Sequence, residues 1–500
     1  MLCAKRDCPN RIRRLKDSLA FRERRLMIWS GEDMDWKTAA VLALTLGWVS
    51  LAATAAHAQA RPSPWSVSAA AGLPEDVTLS GSFRVRQEYL EGQPRPGFND
   101  SDSLTSIRST LLAEYRPGPW RFGVEVFDSR AYGADSGTPI STNEVNTFEP
   151  VQAYVGVDLK EMLGPGSRTT LQAGRFVVNL GSRRLVAADD FRNTTNGYTG
   201  VRTDITLAEG LKATALYVQP QTRLPDDLDS ILDLEGAPDE ESDDLALWGA
   251  VISQTRLLDG AVGGATGEIS YIHFEEQDAP GRPTRDRSID TVSLRLIREP
   301  AARAWDFEVE TIGQVGRLRT GLAATAPSAD VLAYFVHLDA GYSFDTAWKP
   351  RLSVEFDYAS GDDPGGRFGR FDTLFGMRRA DLAPSGLYNA VGRANILTPA
   401  VRLEVAPSSR LDGFLAYRGL WLASWTDSFS TTSVRDATGG SGGFAGQQVE
   451  GRVRYWLVQD ALRLEANGLA LFKGRFLKTA PNAPRSGDTL FLTFSLIAYF

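Results

Sequence analysis

Cysteine and histidine are scarce in this chain of 500 residues. Its two cysteines, Cys3 and Cys8, lie within the first ten residues, and only His273 and His337 of the three histidines follow residue 58. Disulfide bonds therefore cannot hold the later part of the chain together. The sequence contains no Ser/His/Asp set, phosphate-binding loop or zinc-ligand spacing. It thus predicts no enzyme, no cofactor and no metal site, with a hydrolase built on a barrel as a minor alternative.

Long apolar runs are missing everywhere except near the start of the chain. Residues 34–58 contain a single lysine, a long apolar middle and a final Ala-His-Ala, which is the layout of a secretory signal peptide. We expect Sec-type export and cleavage after Ala58. The preceding residues 1–33 form an unusually long basic leader, so the true start of translation is predicted at Met34 or Met27.

Net basic charge is also missing from the part that would be exported. Of 54 basic and 62 acidic residues, 10 and 6 lie in the first 58, which leaves 44 basic residues against 56 acidic ones, or about −12. This balance excludes a uniformly basic surface, so no nucleic-acid partner is expected. No apolar stretch after residue 58 approaches the ~20 residues that a membrane-spanning helix needs.

Apolar and polar side chains alternate along most of the later sequence. The alternation is regular in VTLSGSFRVRQEYL at 77–90, RLSVEFDY at 351–358, VEGRVRYWL at 449–457 and DALRLEANGLALF at 460–472. A period of two residues predicts β-strands that have one apolar face and one polar face.

Eighteen segments follow this pattern, and most are ten to fifteen residues long. A tilted strand needs ~9–11 residues to cross a bilayer, so these lengths fit membrane-spanning strands. The predicted strands begin near residues 77, 103, 119, 148, 168, 200, 211, 244, 265, 288, 305, 331, 350, 395, 410, 447, 461 and 489.

The connections between these strands alternate between short and long. Short links follow the even-numbered strands, at 116–119, 208–210, 346–349, 406–409 and 459–461. Long polar links follow odd-numbered strands, at 133–147, 181–199, 221–243, 360–394 and 425–446. Outer-membrane barrels have this asymmetry, with short periplasmic turns and long extracellular loops.

The chain ends in TLFLTFSLIAYF, residues 489–500, a strand with one apolar face and a terminal Phe500. Because unpaired backbone groups are costly in lipid, this strand must pair with the first one at 77–91. The predicted fold class is all-β: a transmembrane antiparallel β-barrel of about 18 strands over residues 77–500. Residues 59–76 would form a periplasmic N-terminal segment. A large soluble β-sandwich or propeller is the alternative.

Charged side chains fall on the face opposite the apolar one. An arginine facing lipid at the midplane would cost ~2–4 kcal/mol, so these charges are predicted to line the lumen. The predicted lumen arginines are Arg84, Arg86, Arg108, Arg121, Arg295, Arg402, Arg452, Arg454 and Arg463. The predicted lumen carboxylates are Glu125, Glu308, Glu310, Glu355 and Asp357.

These charges form either a ladder of compensating pairs that stiffens the wall or a path for anions. Arg84, Arg86, Arg452, Arg454 and Arg463 come from strands near the closure and are the best candidate for an anion strip. Ten acidic residues crowd into 225–245. We interpret that segment as a solvated external loop, with cation bridging to lipopolysaccharide or a gate as alternatives.

Five stretches carry a resemblance to a known family. They are FDSRAYG at 127–133, GRFVVNLGSRRLVAADDFRNT at 174–194, YTGVR at 198–202, FDYASGDDPGGRFGRFDTLFG at 356–376 and LYNAVGRANI at 387–396. In this order they resemble the alginate export family of Gram-negative outer-membrane β-barrels. The motif residues are Asp128, Arg130, Gly174, Arg175, Arg184, Arg192, Asn193, Gly361, Asp362, Phe371 and Asn395. One departure is Phe176, where Gln is common in the family.

The resemblance implies a monomeric barrel of eighteen strands that passively secretes alginate, a polyanionic uronate polymer, through an arginine-rich constriction. It also implies that Asp128, Arg130 and Arg175 are lumen or rim residues, although strand parity puts them on the apolar face. We therefore expect passive export of an anionic polysaccharide across the outer membrane. The alternatives are a porin for uptake of small charged or amphipathic solutes and a surface barrel without an open pore.

The expected partners follow from this assignment. They are outer-membrane lipid, lipopolysaccharide, an anionic polysaccharide or small solute in the lumen, and the barrel-assembly machinery, which would recognise the C-terminal strand.

Overall fold

The computed structural model describes residues 63–188, 191–258, 263–378 and 381–500. The predicted leader and signal peptide, residues 1–58, lie outside this part of the chain, as does the beginning of the predicted periplasmic segment.

Eighteen antiparallel strands form one closed barrel, which confirms the predicted fold class. A further strand of two residues, Arg367–Phe368, pairs in parallel with Asp330 and Val331 and is not part of the barrel wall. The barrel strands are nine to sixteen residues long, and each begins within three residues of its predicted start. They are β1 (Val77–Glu91), β2 (Ser101–Tyr115), β3 (Trp120–Tyr132), β4 (Asn146–Lys160), β5 (Arg168–Phe176), β6 (Tyr198–Thr206), β7 (Leu211–Pro220), β8 (Leu245–Leu258), β9 (Ala265–Glu276), β10 (Ser288–Arg298), β11 (Ala304–Arg319), β12 (Ser328–Ser343), β13 (Arg351–Ala359), β14 (Ile396–Ser408), β15 (Leu411–Trp421), β16 (Phe444–Val458), β17 (Leu462–Lys473) and β18 (Thr489–Tyr499).

The first and last strands close the barrel, as the apolar C-terminal strand predicted. β1 pairs with β18 in antiparallel register, from Ser82 opposite Tyr499 to Glu91 opposite Leu490. Next to this ladder, the Gly81 N–H donates to the Phe500 carbonyl at 2.9 Å, and the Phe500 N–H donates to the Gly81 carbonyl at 3.1 Å. A β-carbon at position 81 would lie 2.2 Å from the Thr110 carbonyl oxygen and 2.7 Å from the Phe500 ring, so the position requires glycine.

The outer surface of the barrel is apolar and the inner surface is polar, as expected for a barrel that lies in lipid. On β1, Phe83 is 43% exposed, whereas its neighbour Arg84 is 2% exposed. On β10, Leu294 is 55% exposed and Ser293 is 4% exposed. The apolar side chains therefore face outward and the polar ones inward on both strands.

In the described residues, helical structure is limited to short pieces outside the strands, among them a 3₁₀ turn at Ala208–Gly210. α1 (Val67–Ala70) precedes β1, α2 (Leu228–Leu232) lies between β7 and β8, and α3 (Arg475–Thr479) lies between β17 and β18. The Ser68 hydroxyl donates to the Leu79 carbonyl at 2.9 Å and accepts from the Leu79 N–H at 2.6 Å, which ties α1 to β1. Within the described residues, no helix is long and apolar enough to cross a membrane.

Two long loops fold into the lumen, and they are called the inner loops below. They are the 177–197 loop between β5 and β6 and the 360–395 loop between β13 and β14. Apolar side chains of these loops, among them Val186 and Tyr388, form a buried core with inward-facing wall residues. Phe491, which breaks the alternation of β18, is one of these wall residues, and its ring stacks on Tyr388 at 5.9 Å.

The outward orientation of the apolar face can be tested at Leu294, near the middle of β10. Leu294→Arg should lower the free energy of unfolding in lipid by ~2–4 kcal/mol, because the charge would face acyl chains. The matched control is Leu322→Arg, since Leu322 is 56% exposed in the loop between β11 and β12. Denaturant titration of the barrel refolded in vesicles measures both variants. Equal losses of stability would contradict the assigned outer face.

Candidate functional site in the barrel lumen

The two inner loops are joined to each other through their backbones. The Phe375 N–H donates to the Leu185 carbonyl at 2.9 Å, and the Ala187 N–H donates to the Phe375 carbonyl at 3.1 Å. The Phe375 ring lies edge-on to Tyr198 at 5.8 Å and to Phe274 of the wall at 5.7 Å. The inner loops therefore form one unit that is attached to the barrel wall.

A group of buried charges, called the central cluster below, fixes the inner loops to the wall. It consists of Arg184, Glu308, Glu310, Asp381 and Arg393. Arg184 donates to both Asp381 oxygens at 2.7 and 2.8 Å, to Glu308 at 2.5 Å and to Glu310. Arg393 also donates to Asp381. The cluster therefore links both inner loops to β11.

Burial disfavours the charged forms of Arg184 and Asp381, but their ion pairs outweigh burial. Burial lowers the pKa of Arg184, and the carboxylates of Asp381, Glu308 and Glu310 nevertheless raise it above its usual value. Burial raises the pKa of Asp381, whereas Arg184 and Arg393 hold it well below its usual range. Removal of one partner leaves the others buried and uncompensated, which typically costs ~3–5 kcal/mol.

One group in the described part of the chain has the geometry of a metal site. It consists of His337, Asp357 and Asp381, whose candidate ligand atoms lie within 4.8 Å of one another. However, both oxygens of Asp381 already accept from Arg184, and Arg393 donates to one of them. The two guanidinium groups would repel a cation, so this donor set does not fit a resident metal ion.

Asn193, a motif residue, pins the 177–197 loop to three neighbours at once. Its amide nitrogen lies within hydrogen-bond distance of the carbonyls of Ile107 at 3.1 Å, Arg130 at 3.1 Å and Glu144 at 2.9 Å. Its side-chain oxygen accepts from Arg84 at 3.1 Å. The adjacent Arg192 donates to Asn143 at 2.9 Å and to Asn196 at 2.8 Å. These contacts join the loop to β2, β3 and the loop between β3 and β4.

Asn395 plays the corresponding part for the 360–395 loop. Its amide nitrogen donates to the carbonyls of Ser424 at 2.9 Å and Ser428 at 3.0 Å, and its oxygen accepts from the Ser424 N–H at 2.6 Å. A β-carbon on Gly361 would lie 2.2 Å from that oxygen, so the position requires glycine.

Two further motif residues shape the same loop. Asp362 accepts from the Gly369 N–H at 3.0 Å and so closes the turn between them. The Phe371 ring is 2% exposed and packs against Phe335 of β12 at 5.5 Å.

The motif residues that conflict with strand parity lie on the outside of the barrel. Arg130 donates to Asp128 at 3.0 Å on the outward face of β3, where the pairing with β4 is irregular. Arg175 pairs with Glu149 at 2.5 Å and with Glu241 of the acidic loop at 2.8 Å. The acidic loop, residues 225–245, thus covers Arg175 at the end of the barrel where the long loops lie. Gly174 beside it has φ +116°, a conformation that favours glycine.

Five of the predicted lumen arginines lie on the wall between the central cluster and the short turns. Each has a carboxylate partner: Arg295 with Glu308 at 2.8 Å, Arg402 with Glu404 at 2.8 Å, Arg452 and Arg454 with Asp412 at 3.7 and 2.6 Å, and Arg463 with Glu465 at 3.5 Å. Their side chains are between 13% and 21% exposed. They are therefore mostly but not completely buried.

The candidate anion strip occupies two levels. Arg84 and Arg86 are buried against the 177–197 loop: Arg84 donates to the Arg192 carbonyl at 2.7 Å, and Arg86 lies 4.0 Å from the centre of the Phe191 ring. Arg452, Arg454 and Arg463 lie nearer the short turns on β16 and β17. The structure thus separates the arginines that hold the loop from those on the wall nearer the short turns. That part of the lumen and its wall are called the lower lumen and the lower wall below.

The remaining predicted lumen residues also have partners. Arg108 donates to the Arg192 carbonyl at 3.3 Å, Arg121 pairs with Asp158 at 3.3 Å, Glu125 accepts from Gln152 at 2.5 Å, Glu355 lies 3.6 Å from Arg418 and 3.7 Å from Arg402, and Asp357 bonds His337 at 2.7 Å.

A cavity of ≈ 220 Å³ lies on the short-turn side of the central cluster. Arg184 and Asp381 contribute to its lining, and Arg351, Arg402 and Glu404 line its walls. The lining of this space thus contains both positive and negative side chains.

Asp381, Arg393 and Arg418 are central to the lumen but were not predicted as site residues. Arg418 is 0% exposed and donates to Glu450 at 3.0 Å and to the Asp381 carbonyl at 2.7 Å. The alternation of β15 could have placed Arg418 inward. No local signal could have placed Asp381 and Arg393, because they belong to a polar loop.

Comparison with known proteins assigns the chain to a family. The profile described as alginate export matches residues 76–490. The chain belongs to the alginate export family. This confirms the resemblance that the five motif stretches indicated. No curated protein sequence matches the chain at a significant level.

Solved porin structures share the fold at low identity. Pseudomonas aeruginosa OccK2 (OpdF) in complex with glucuronate is 15% identical, with a TM-score of 0.51, over 84% of this chain and 96% of its own. Pseudomonas aeruginosa OpdO is 13% identical, with a TM-score of 0.52, over 85% and 97%. A BenF-like porin from Pseudomonas fluorescens Pf-5 is 14% identical, with a TM-score of 0.51, over 85% and 99%. At this identity the likeness shows the fold alone.

This alginate export family member is therefore a barrel channel of the outer membrane. Its family and fold point to transport and not to catalysis. One chain closes the barrel by itself, and its apolar outer face is suited to membrane lipid.

The role of the central cluster can be tested with Asp381→Asn and Arg184→Ala. Each change should raise single-channel conductance, because the inner loops lose an attachment to the wall, and should lower the free energy of unfolding by ~3 kcal/mol or more. The control is Arg317→Ala: its pair with Asp330, at 3.2 Å, is exposed, so little stability is lost. Unchanged conductance in both cluster variants would contradict the assignment.

Proposed function

We propose that this channel passively exports an anionic polysaccharide built from uronate units, such as alginate. The observation that carries the proposal is the row of partly exposed arginines on β14, β16 and β17 within a family named for alginate export. Guanidinium groups bind carboxylates through charge-assisted, often paired hydrogen bonds. A chain that carries one carboxylate per sugar could exchange these contacts from one arginine to the next.

The ion pairs of the lower wall support passage and not permanent binding. Arg452 and Arg454 share the single carboxylate of Asp412, so a passing carboxylate competes with a partner that is already present. Such competition weakens each contact, and conduction requires sites that bind weakly enough to release the solute. The inner loops narrow the lumen, which favours a single extended chain over a folded polymer.

A second candidate function is uptake of small charged or amphipathic solutes. The observation that favours it is the mixed charge around the ≈ 220 Å³ cavity, where Arg351 and Arg402 stand beside Glu404 and Asp381. A balanced field of this kind suits zwitterions and small ions of either sign.

Planar-bilayer recording of the purified mature barrel distinguishes these functions. We expect anion selectivity and transient block by short uronate oligomers, with weaker block by neutral oligosaccharides of equal length. Cation selectivity without uronate block would favour the uptake function. A barrel with no conductance at all would contradict both.

The arginines of the lower wall provide the matching variant. Arg452→Gln combined with Arg454→Gln should weaken uronate block at least about tenfold, because two charge-assisted hydrogen bonds are lost and Asp412 remains uncompensated. Arg303→Gln is the control, since Arg303 pairs with Asp345 at 2.7 Å at the same end of the barrel, in the turn between β10 and β11, but is 76% exposed. Equal loss of block in both variants would show that general surface charge is responsible.

A further inference from the structure

An aromatic pair lies inside the lumen where the barrel wall meets the short turns. The rings of Trp456 on β16 and Tyr499 on β18 are 5.7 Å apart. The Arg463 guanidinium lies 5.3 Å from the Trp456 ring centre and 5.5 Å from the Tyr499 ring centre. Three adjacent strands, β16, β17 and β18, thus bring two aromatic rings and one guanidinium group together.

The strand register places all three side chains on the inner face. Trp456 lies opposite Arg463 in the ladder between β16 and β17. On β16 the flanking residues Tyr455 and Leu457 are the exposed ones, at 38% and 43%. On β18, Leu496 lies on the face opposite to that of Tyr499 and is likewise 42% exposed.

These inward rings are separate from the aromatic girdle that anchors a barrel in the membrane. At the same end, outward-facing aromatics such as Trp305, 66% exposed, and Phe344, 43% exposed, supply that girdle. Neither Trp456 nor Tyr499 can reach lipid from the inner face. Anchoring therefore does not account for them.

A second guanidinium–aromatic contact lies higher on the same wall. The Phe414 ring of β15 has the Arg402 guanidinium 3.9 Å from its centre and the Arg452 guanidinium 5.2 Å from it. Phe414 lies opposite Arg452 in the ladder. Because Trp456 follows Arg452 by four residues on β16, the two aromatic positions are ~13 Å apart along the strand.

We propose that Trp456, Tyr499 and Arg463 form a sugar-stacking platform at the periplasmic mouth of the lumen, which binds one uronate ring of the polymer. This inference rests on the proposed export function and adds the point of loading. A uronate ring carries an apolar C–H face and a carboxylate on one ring. The aromatic pair offers an apolar surface for the first, and Arg463 offers hydrogen-bond donors for the second.

The ladder from the mouth to Phe414 continues this chemistry along the wall. Arg454 stands between the two aromatic positions, two residues before Trp456 on the same face of β16. A polymer that stacks on Trp456 would next meet Arg454 and Arg452, and then the Phe414 ring. The platform thus lies nearer the short turns than Arg454, Arg452 and Phe414.

The platform is tested by titration calorimetry of the full barrel in detergent with a short uronate oligomer. Trp456→Leu should weaken binding about five- to tenfold, because the stacking surface is lost. Trp456→Phe keeps a ring and should stay within about twofold of the unchanged barrel. Trp305→Leu is the matched control, since it removes an outward tryptophan at the same end, and it should leave affinity unchanged.

The outcomes separate this inference from the proposed function. If the unchanged barrel and Trp456→Leu bind the oligomer equally, the platform is wrong, whereas the export proposal stands. If the unchanged barrel neither binds the oligomer nor is blocked by it in bilayers, both are wrong. A neutral oligosaccharide of equal length tests the charged part, because Arg463→Gln should weaken uronate binding more than neutral-sugar binding. A gel shift on heating, which reports folded barrel, is run for every variant.

Discussion

Pairing of the first strand with the last is the constraint on which the rest of this structure depends. In lipid, an unpaired backbone N–H or C=O has no water to bond, so a sheet must close. Once β1 meets β18, every strand has an outer face in acyl chains and an inner face away from them. Charged side chains on alternate residues must then point inward, away from the lipid. The same closure that satisfies the backbone therefore concentrates arginines and carboxylates inside.

Concentrated charge inside the barrel needs compensation, and the structure provides it at two levels. In the upper lumen, ion pairs such as Arg184 with Asp381 are almost fully buried and hold the inner loops in place. In the lower lumen, pairs such as Arg454 with Asp412 keep partial contact with water. Several motif residues of the family, among them Asn193 and Asn395, contact loops and not open space. These motif residues thus hold the loops in place.

The barrel could be predicted from the sequence because its rule is local: alternation, strand length and link length predict the starts of all eighteen barrel strands to within three residues. The loops that fill the lumen could not be predicted in this way, because a polar loop has the same sequence pattern whether it folds inward or outward. Two exceptions to the alternation were signals of tertiary structure. Phe491 faces inward to pack on Tyr388. Arg175 faces outward to meet Glu149 and Glu241. In both cases, contacts with residues distant in the sequence explain the orientation of the side chain.

The closing pair of strands can be measured directly, because the chain has no cysteine after residue 8. Gln87 lies opposite Phe494 in the register, within the distance that a disulfide spans. We predict that the variant Gln87→Cys with Phe494→Cys forms an intramolecular disulfide on mild oxidation in the outer membrane. The shifted pair Gln87→Cys with Leu496→Cys should remain largely reduced. Equal oxidation of both pairs, or none in either, would contradict the closed barrel in this register.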